Sequence, residues 1–226
     1  MVVGSGLLAN TFKKYNDNDS VIIFASGVSN SKENDSKEFL REIELLSSFF
    51  GTNSRLIYFS TCSIYDPSLS NSLYINHKLN VEKIIRENFK NYIIFRLPNV
   101  IGKSDNCNTS FNFFKERINK DLQIDIQINS TRYFIDSEDL ALFLPLFIEK
   151  DLNDNIGETI NVVLDNKIYI RELIETMEIL TGKFAIKNYV DGGSNYDVDG
   201  SYFLNSISKN KMNSADYNYN LIKKYV

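Results

Sequence analysis

Three short runs constrain this chain more than anything else in it: Val21–Ala25 (VIIFA), Arg55–Ser60 (RLIYFS) and Tyr92–Leu97 (YIIFRL). Each is continuous in β-branched and aromatic residues instead of alternating, the pattern of a strand covered on both faces. Between them lie segments with helical spacing. Leu7–Tyr15 has Leu7, Leu8 and Phe12 on one side, Phe39–Phe50 has Phe39, Ile43, Leu46 and Phe50 in register, and Tyr74–Phe89 is a long helix. Met1–Val3 supplies a first strand ahead of Gly4-Ser5-Gly6. Strand and helix therefore alternate as far as Leu97, which predicts a parallel α/β sheet with right-handed crossovers and flanking helices.

The rest is more mixed. Ser110–Lys120 reads as a helix, and Leu122–Ile128 alternates like a half-exposed strand. Ser137–Glu149 reads as a helix with carboxylates at its N-terminus, where they suit the helix dipole. Glu158–Val163 is a strand, Ile170–Thr181 a helix stopped by Gly182, and the Gly- and Asp-rich Asp191–Gly200 a mobile loop. With 226 residues, the chain fits a single domain: a Rossmann-like core over about 1–105 and a mixed C-terminal, substrate-binding part over about 106–226.

The composition narrows the possible roles. A net charge of −4 gives no broad basic surface and argues against nucleic acid or anionic membrane as partner. No run reaches the roughly 18 apolar residues of a membrane span, and the N-terminus lacks the basic start of a signal peptide. Two cysteines, Cys62 and Cys107, and one histidine, His77, give no zinc spacing and point to reduced thiols in the cytoplasm. His77 reads as a packing or surface residue, Cys62 as a small buried one, and Lys115–Lys120 as a solvated helix face.

Gly4-Ser5-Gly6-Leu7-Leu8-Ala9 fits G-x-G-x-x-A between a strand and a helix. Gly4 permits the tight turn, Gly6 lets a pyrophosphate approach the backbone, and Ala9 lets the helix sit close to the sheet. A tight turn without a ligand is the alternative. The acidic residue that would hold a ribose about 20 positions on is not evident, because the second strand ends in Ala25-Ser26-Gly27. The strongest chemical signal is Tyr74-Ile75-Asn76-His77-Lys78. Tyr74 and Lys78 share a helix face, and a nearby ammonium lowers a phenol's pKa towards that of a usable acid or base. The strand before it ends in hydroxyls, Ser60-Thr61-Cys62-Ser63. An ordinary Tyr and Lys on an exposed face is the plain alternative. Arg132 reads equally as a phosphate ligand or as one side of a salt bridge.

Taken together these residues resemble the extended short-chain dehydrogenase/reductase family, the nucleotide-sugar epimerases, dehydratases and ketoreductases, along nearly the whole chain. Phe24–Ser29 resembles the strand end that lies against the nicotinamide. Tyr58–Tyr65 resembles the family's SSxxVYG segment, whose catalytic hydroxyl falls on Thr61. Tyr74 and Lys78 match its Tyr-x-x-x-Lys pair. Phe95–Gly102 resembles RLxNVYG, Thr131–Leu140 resembles RxFIxVxDL, and Gly157–Val162 matches a further signature.

The resemblance implies a catalytic set of Thr61, Tyr74 and Lys78. It implies cofactor contacts at Gly4, Ser5, Gly6, Leu7, Leu8, Ala25, Ser26, Gly27, Ser60, Lys78 and Leu97, and substrate contacts at Ser29, Cys62, Ser63, Asn99 and Arg132. The cofactor would be NADP or NAD, the substrate a nucleotide-activated sugar of bacterial surface polysaccharide synthesis, and the assembly a homodimer. Two departures modify this. Only nineteen positions separate Gly6 from Ala25, too few for the two further strands that hold the adenosine half of the cofactor in the family, so the sheet is expected to be shortened by them. Cys62-Ser63 stands where family dehydratases carry an Asp-Glu pair, which favours epimerisation or keto-sugar reduction over 4,6-dehydration. A catalytically silent module that binds a nucleotide-sugar or a partner is the other expectation.

Overall fold

The computed structural model describes residues 1–104, 106, 109–150, 152, 157–207 and 216–226; Cys107 lies outside them. The first half runs β1 (Val2–Val3), α1 (Leu7–Thr11), a 3-10 turn over Lys13–Tyr15, β2 (Val21–Phe24), α2 (Ser36–Ser47), β3 (Arg55–Thr61), α3 (Leu73–Asn88) and β4 (Tyr92–Leu97). Then come β5 (Asn99–Ile101), α4 (Ser110–Asn119), β6 (Gln123–Gln127), β7 (Thr131–Arg132), β8 (Phe134–Asp136), α5 (Ser137–Phe143), α6 (Pro145–Ile148) and β9 (Gly157–Asn161). Last are β10 (Ile168–Tyr169), α7 (Ile170–Thr181), β11 (Ile186–Val190), α8 (Ser201–Ile207) and α9 (Tyr217–Tyr225).

Five parallel strands form the central sheet in the order β1-β2-β3-β4-β9. Side chains alternate across it as the strand period requires. Ile22, Phe24, Leu56, Tyr58 and Ile94 pack with Leu46 of α2 and with Val81 and Ile85 of α3. Val21, Ile23, Ile57, Phe59, Ile93 and Phe95 face the other way, onto Phe12, Tyr15, Phe143, Phe147 and Phe203. Both faces are covered, as the continuous apolar runs demand. A second core lies between α4, β6, α7 and α9, around Phe111, Ile118, Ile124, Ile126, Ile174, Met177 and Leu221. Strand pairs β5–β8, β6–β11 and β7–β10 complete this part, while β9 and α8 rejoin the central sheet.

The crossovers do not share one hand. The connections β1 to β2, β2 to β3 and β3 to β4 all advance in the same direction along the sheet. Yet α1 and its 3-10 turn lie on the face of α5 and α6, whereas α2 and α3 lie on the opposite face. Two crossovers that advance together with helices on opposite faces have opposite hand. With β2-α2-β3 and β3-α3-β4 as the right-handed units that parallel sheets adopt, β1-α1-β2 is left-handed, which corrects the uniform right-handedness expected from the sequence. The cause is packing: Phe12 and Tyr15 are buried on that face, and Phe12 stacks on Phe59 at 5.3 Å between ring centroids.

Other boundaries shift for local reasons. The Leu7–Tyr15 helix tightens into a 3-10 turn after Thr11. The Phe39–Phe50 helix begins earlier, where the Asp35 side chain caps Lys37 N–H, and ends at Ser47, leaving Phe50 41% exposed. Pro145 divides Ser137–Glu149 into α5 and α6, since proline has no N–H to continue the ladder. Asp191–Gly200, read from the sequence as a mobile loop, is irregular, and its Tyr196 and Val198 are buried with Cys62, Tyr133 and Val163. Among the described residues no helix is long and apolar enough to cross a membrane.

Phe12 sits at 0% exposure, so Phe12→Ala should cost about 3–5 kcal/mol in urea unfolding, the usual loss for a buried phenylalanine. Asn10→Ala, at an exposed position on the same helix, should change stability by less than about 0.5 kcal/mol.

Candidate active site

Helix α3 buries a stripe of Tyr74, Lys78, Val81, Glu82 and Ile85, the spacing of a core-facing side. Three of the five are polar, and each polar one meets a partner at the carboxyl end of the sheet. Tyr74 stands beside Thr61, Lys78 reaches Tyr58, and Glu82 reaches Ser60 and Arg96. Tyr58 and Ser60 on β3, with Arg96 on β4, alternate onto the α3 side of the sheet, which brings their polar ends to that helix.

The sequence-derived trio is thus assembled: Thr61, Tyr74 and Lys78 converge where β3 ends. Tyr74 is 7% and Lys78 2% exposed. Lys78 Nζ donates to Glu42 Oε1 at 3.1 Å and to Tyr58 OH at 3.0 Å, and lies 5.8 Å from the Tyr74 ring centre. Glu42, on α2, is a buried hub. It also accepts from Tyr58 OH at 2.6 Å and Val28 N–H at 2.6 Å, and pairs with His77 Nε2 at 2.8 Å. Burial alone would push the Glu42 carboxyl up, but Lys78, His77, Tyr58 and Val28 together hold it down at about 2. Burial pulls the Lys78 ammonium down and Glu42 opposes it.

This arrangement reverses one expectation. The Tyr74 phenol is pushed up, not down, because burial dominates; the Thr61 hydroxyl opposes the rise and the Glu42 charge adds to it. The Lys78 charge is spent on a carboxylate, so its effect on the phenol is cancelled. His77 is buried, with its ring stacked on Phe39 at 4.6 Å.

Glu82 forms the second hub. It accepts from Ser60 Oγ at 2.7 Å, from Arg86 at 2.7 Å, and from Arg96 through two nitrogens at 2.9 and 2.7 Å. Ser60 is therefore committed inside the protein. Cys62 donates to Arg96 O at 3.1 Å, and burial pushes its thiol up to about 12, which leaves it inert as a nucleophile. Thr61 Oγ1 accepts from Ser63 N–H at 3.0 Å.

The glycine turn adjoins this site. Gly4 has φ +128, and a Cβ there would stand 2.5 Å from Ala25 O, so only glycine lets β1 close onto the end of β2. Gly6 is different. It is the N-cap of α1 at φ −79, open to any residue, and a Cβ would meet nothing within 4 Å. Leu7 and Leu8 are half-buried behind the turn and Ser5 is exposed. Ala25, Ser26 and Gly27 are half-buried at the end of β2, where a Cβ on Gly27 would stand 2.8 Å from Lys78 Nζ. Leu97 is buried at the end of β4. The glycine turn, Ala25–Gly27 and Leu97 thus stand at the carboxyl ends of β1, β2 and β4.

The substrate-side residues divide. Arg132 NH1 pairs with Asp66 Oδ2 at 3.2 Å and donates to Thr131 O at 2.7 Å. It also lines a cavity of about 140 Å³ with Ser110, Phe114, Asp125, Gln127, Ser130 and Ile170. The salt-bridge reading of Arg132 is the one the structure shows, and its side chain also borders that cavity. Asn99 accepts from Ser110 Oγ at 3.1 Å at the edge of this cavity. Ser63 is half-buried, and Ser29 is exposed without bringing a group to the trio.

Sequence reasoning missed Glu42, Tyr58, Asp66, Glu82 and Arg96. Glu42 had a signal: it falls between Phe39 and Leu46 on the inward side of its helix, and a carboxylate in an apolar stripe needs a buried partner.

The sequence profile of the NAD dependent epimerase/dehydratase family matches residues 4–162, and the chain belongs to that family. No curated protein sequence matches it. Among solved structures it is similar to UDP-glucuronic acid 4-epimerase from Bacillus cereus, solved with UDP-glucuronic acid and NAD: identity is 21% and TM-score 0.68, over 96% of this chain and 79% of that one. It is similar to dTDP-glucose 4,6-dehydratase from Bacillus anthracis with NAD, at 14% and 0.67 over 99% and 77%. It is also similar to RMD from Pseudomonas aeruginosa with NADPH, at 14% and 0.71 over 99% and 97%. At these identities the likeness is one of fold.

Glu42→Gln should cost on the order of 3 kcal/mol at neutral pH, because it strands the Lys78 ammonium in a buried place. The Glu42 carboxyl is lowered from 4.5 to about 2, so its contribution is present above pH 4.5 and lost as the pH falls towards 2. Urea midpoints measured across that window should fall more steeply for the parent protein than for Glu42→Gln.

Proposed function

We propose that the chain is an NAD(P)-dependent enzyme acting on a nucleotide-activated sugar, with keto-sugar reduction as the direction its site favours and epimerisation through a transient keto-sugar as the related possibility. The observation that carries this reading is the convergence of the Thr61 hydroxyl, the Tyr74 phenol and the Lys78 ammonium where β3 ends. A neutral phenol in a dry site is a proton donor, the form needed when a carbonyl oxygen becomes a hydroxyl. Thr61 would orient that oxygen. Lys78, anchored by Glu42 beneath Gly27, would offer its ammonium to the ribose. Ala25, Ser26 and Gly27 would hold the nicotinamide, whose contribution there would be hydride transfer.

The sugar nucleotide would meet Asn99 and Arg132, whose guanidinium suits a diphosphate. Cys62-Ser63 offers no acid and base for elimination, so 4,6-dehydration is disfavoured. UDP and dTDP sugars are the first candidates, since similar structures carry those ligands or act on them. A role in surface polysaccharide synthesis and a homodimer belong to the same proposal. The depth at which Tyr74 and Lys78 lie favours one rival, a silent sugar-nucleotide binder.

The test is turnover of UDP- and dTDP-linked 4-keto-hexoses with NADH or NADPH, followed by nicotinamide absorbance. Tyr74→Phe should reduce the rate by roughly 10²–10⁴ while leaving urea unfolding and nucleotide-sugar binding unchanged. A rate unaltered in Tyr74→Phe would remove the assignment, and binding without turnover in the parent protein would favour the silent binder.

A further inference from the structure

We propose that Asp66 is an internal competitor for the anion that Arg132 would bind, and so sets how tightly the adjoining cavity holds a diphosphate. The proposal rests on the reading of Arg132 as a contact to the sugar nucleotide, and goes further by naming what regulates that contact. Two observations meet at this place. A cavity of about 140 Å³ opens beside Arg132, with Ser110, Asp125, Gln127 and Ser130 among its polar walls. Against Arg132 stands Asp66, 2% exposed, whose Oδ2 is buried and has no hydrogen bond among the described residues.

The two oxygens of Asp66 are engaged unequally. Oδ1 accepts from Ser68 N–H at 3.0 Å, from Ser68 Oγ at 2.6 Å and from Ser194 Oγ. These donors fix the carboxylate and leave Oδ2 3.2 Å from Arg132 Nη1, an ion pair without an aligned N–H. Nη1 donates instead to Thr131 O at 2.7 Å. A guanidinium carries five N–H donors, and those on Nε and Nη2 have no acceptor among the described residues. The Arg132 side chain is 21% exposed and that of Asp66 only 1%. A ligand can therefore reach the cation but not its counter-ion.

That asymmetry makes Asp66 a competitor that an anion can outbid. The strong guanidinium–carboxylate pairs are the bidentate ones, and this one makes no aligned bond, so Arg132 gives up little when an anion takes its donors. The carboxylate stays where the serines hold it, and its charge opposes the newcomer. Buried charges are screened far less than exposed ones. Like charges roughly 7 Å apart, at an effective dielectric of about 20, weaken binding by more than about tenfold. Asp125 puts a second carboxylate on the cavity wall, but it is exposed and accepts from Gln123 at 3.0 Å and Asn188 at 2.8 Å. Solvent screens it, so Asp66 carries the larger effect.

The test is calorimetric titration of the whole chain with inorganic pyrophosphate and with UDP, at physiological ionic strength. Asp66→Asn keeps an oxygen for Ser68 and Ser194 but removes the charge, and should bind both ligands about tenfold more tightly or better. Adding Arg132→Gln to Asp66→Asn should abolish the gain, and Asp125→Asn alone should gain less than about threefold. Ser194→Ala moves the other way. It removes a donor from Oδ1, frees the carboxylate to align on Arg132, and should weaken both ligands by about threefold, the worth of one hydrogen bond; it serves as the test if Asp66→Asn does not fold. Four results would overturn the proposal: unchanged or weaker binding in folded Asp66→Asn, an equal gain in Asp125→Asn, a gain that survives Arg132→Gln, or unchanged or tighter binding in Ser194→Ala. In each case UDP binding that Arg132→Gln removes from the parent protein leaves the Arg132 reading intact. Binding of neither ligand, by the parent or by Asp66→Asn, would overturn both.

Discussion

The packing of α3 against the sheet depends on satisfying three polar groups in a place built for apolar ones. Tyr74, Lys78 and Glu82 recur every four residues on the inward side of the helix, so docking the helix drags all three out of water together. An unpaired buried charge costs several kcal/mol, and two of the three are charged. The sheet and α2 answer with opposite partners: Glu42 for Lys78 and Arg96 for Glu82. Tyr58 and Ser60 tie the two carboxylates, Glu42 and Glu82, to β3 by donating hydrogen bonds to them. The candidate site is therefore a consequence of how the core is closed, not an addition to its surface. The Tyr74 phenol is set by the same balance, because the Lys78 charge is neutralised by Glu42 and burial then governs the phenol.

Much of this was legible in the sequence. VIIFA, RLIYFS and YIIFRL are covered on both faces because nothing else accommodates continuous apolar strands. The four-residue spacing of Tyr74 and Lys78 placed both on one helix face, and the glycine turn at Gly4 is required by a positive φ that glycine alone adopts freely. What was not legible depends on distant contacts. The hand of the first crossover follows from where Phe12 and Tyr15 find their neighbours, and those neighbours are α5 and α6, more than a hundred residues away in sequence. Two-residue strands such as β7 and β10 have no pattern of their own and exist through their mutual pairing. Asp191–Gly200 carries the composition of a loose loop, yet Tyr196 and Val198 anchor it. The meaning of Glu42 emerges only once α2 and α3 are placed side by side.

The left-handed connection also keeps the glycine turn against the end of β2. A right-handed crossover from β1 to β2 would carry α1 onto the face of α2 and α3. It would have to displace the packing around Leu46, Val81 and Ile85 and would swing the glycine turn away from the end of β2. With α1 kept among Phe59, Phe143 and Phe147, Gly4 stays pressed on Ala25 and Gly6 stays open in front of the helix. Burial of two aromatic side chains, each contributing roughly 1.5–3 kcal/mol, offsets an unfavourable chain path.

Arg132 and its cavity are tied to Tyr74 by one short segment. Thr61 begins it beside Tyr74, and Asp66 ends it against Arg132. Asp66 Oδ1 accepts from Ser68 N–H, Ser68 Oγ and Ser194 Oγ, while its other oxygen faces the guanidinium. Arg132 is thus balanced by an internal carboxylate while it faces the cavity, and an arriving diphosphate would share that guanidinium with Asp66. Ser194 belongs to Asp191–Gly200, so the segment, the arginine and the packed loop meet at one carboxylate. The segment from Thr61 to Asp66 therefore joins Arg132 to the hydroxyl that stands beside the phenol.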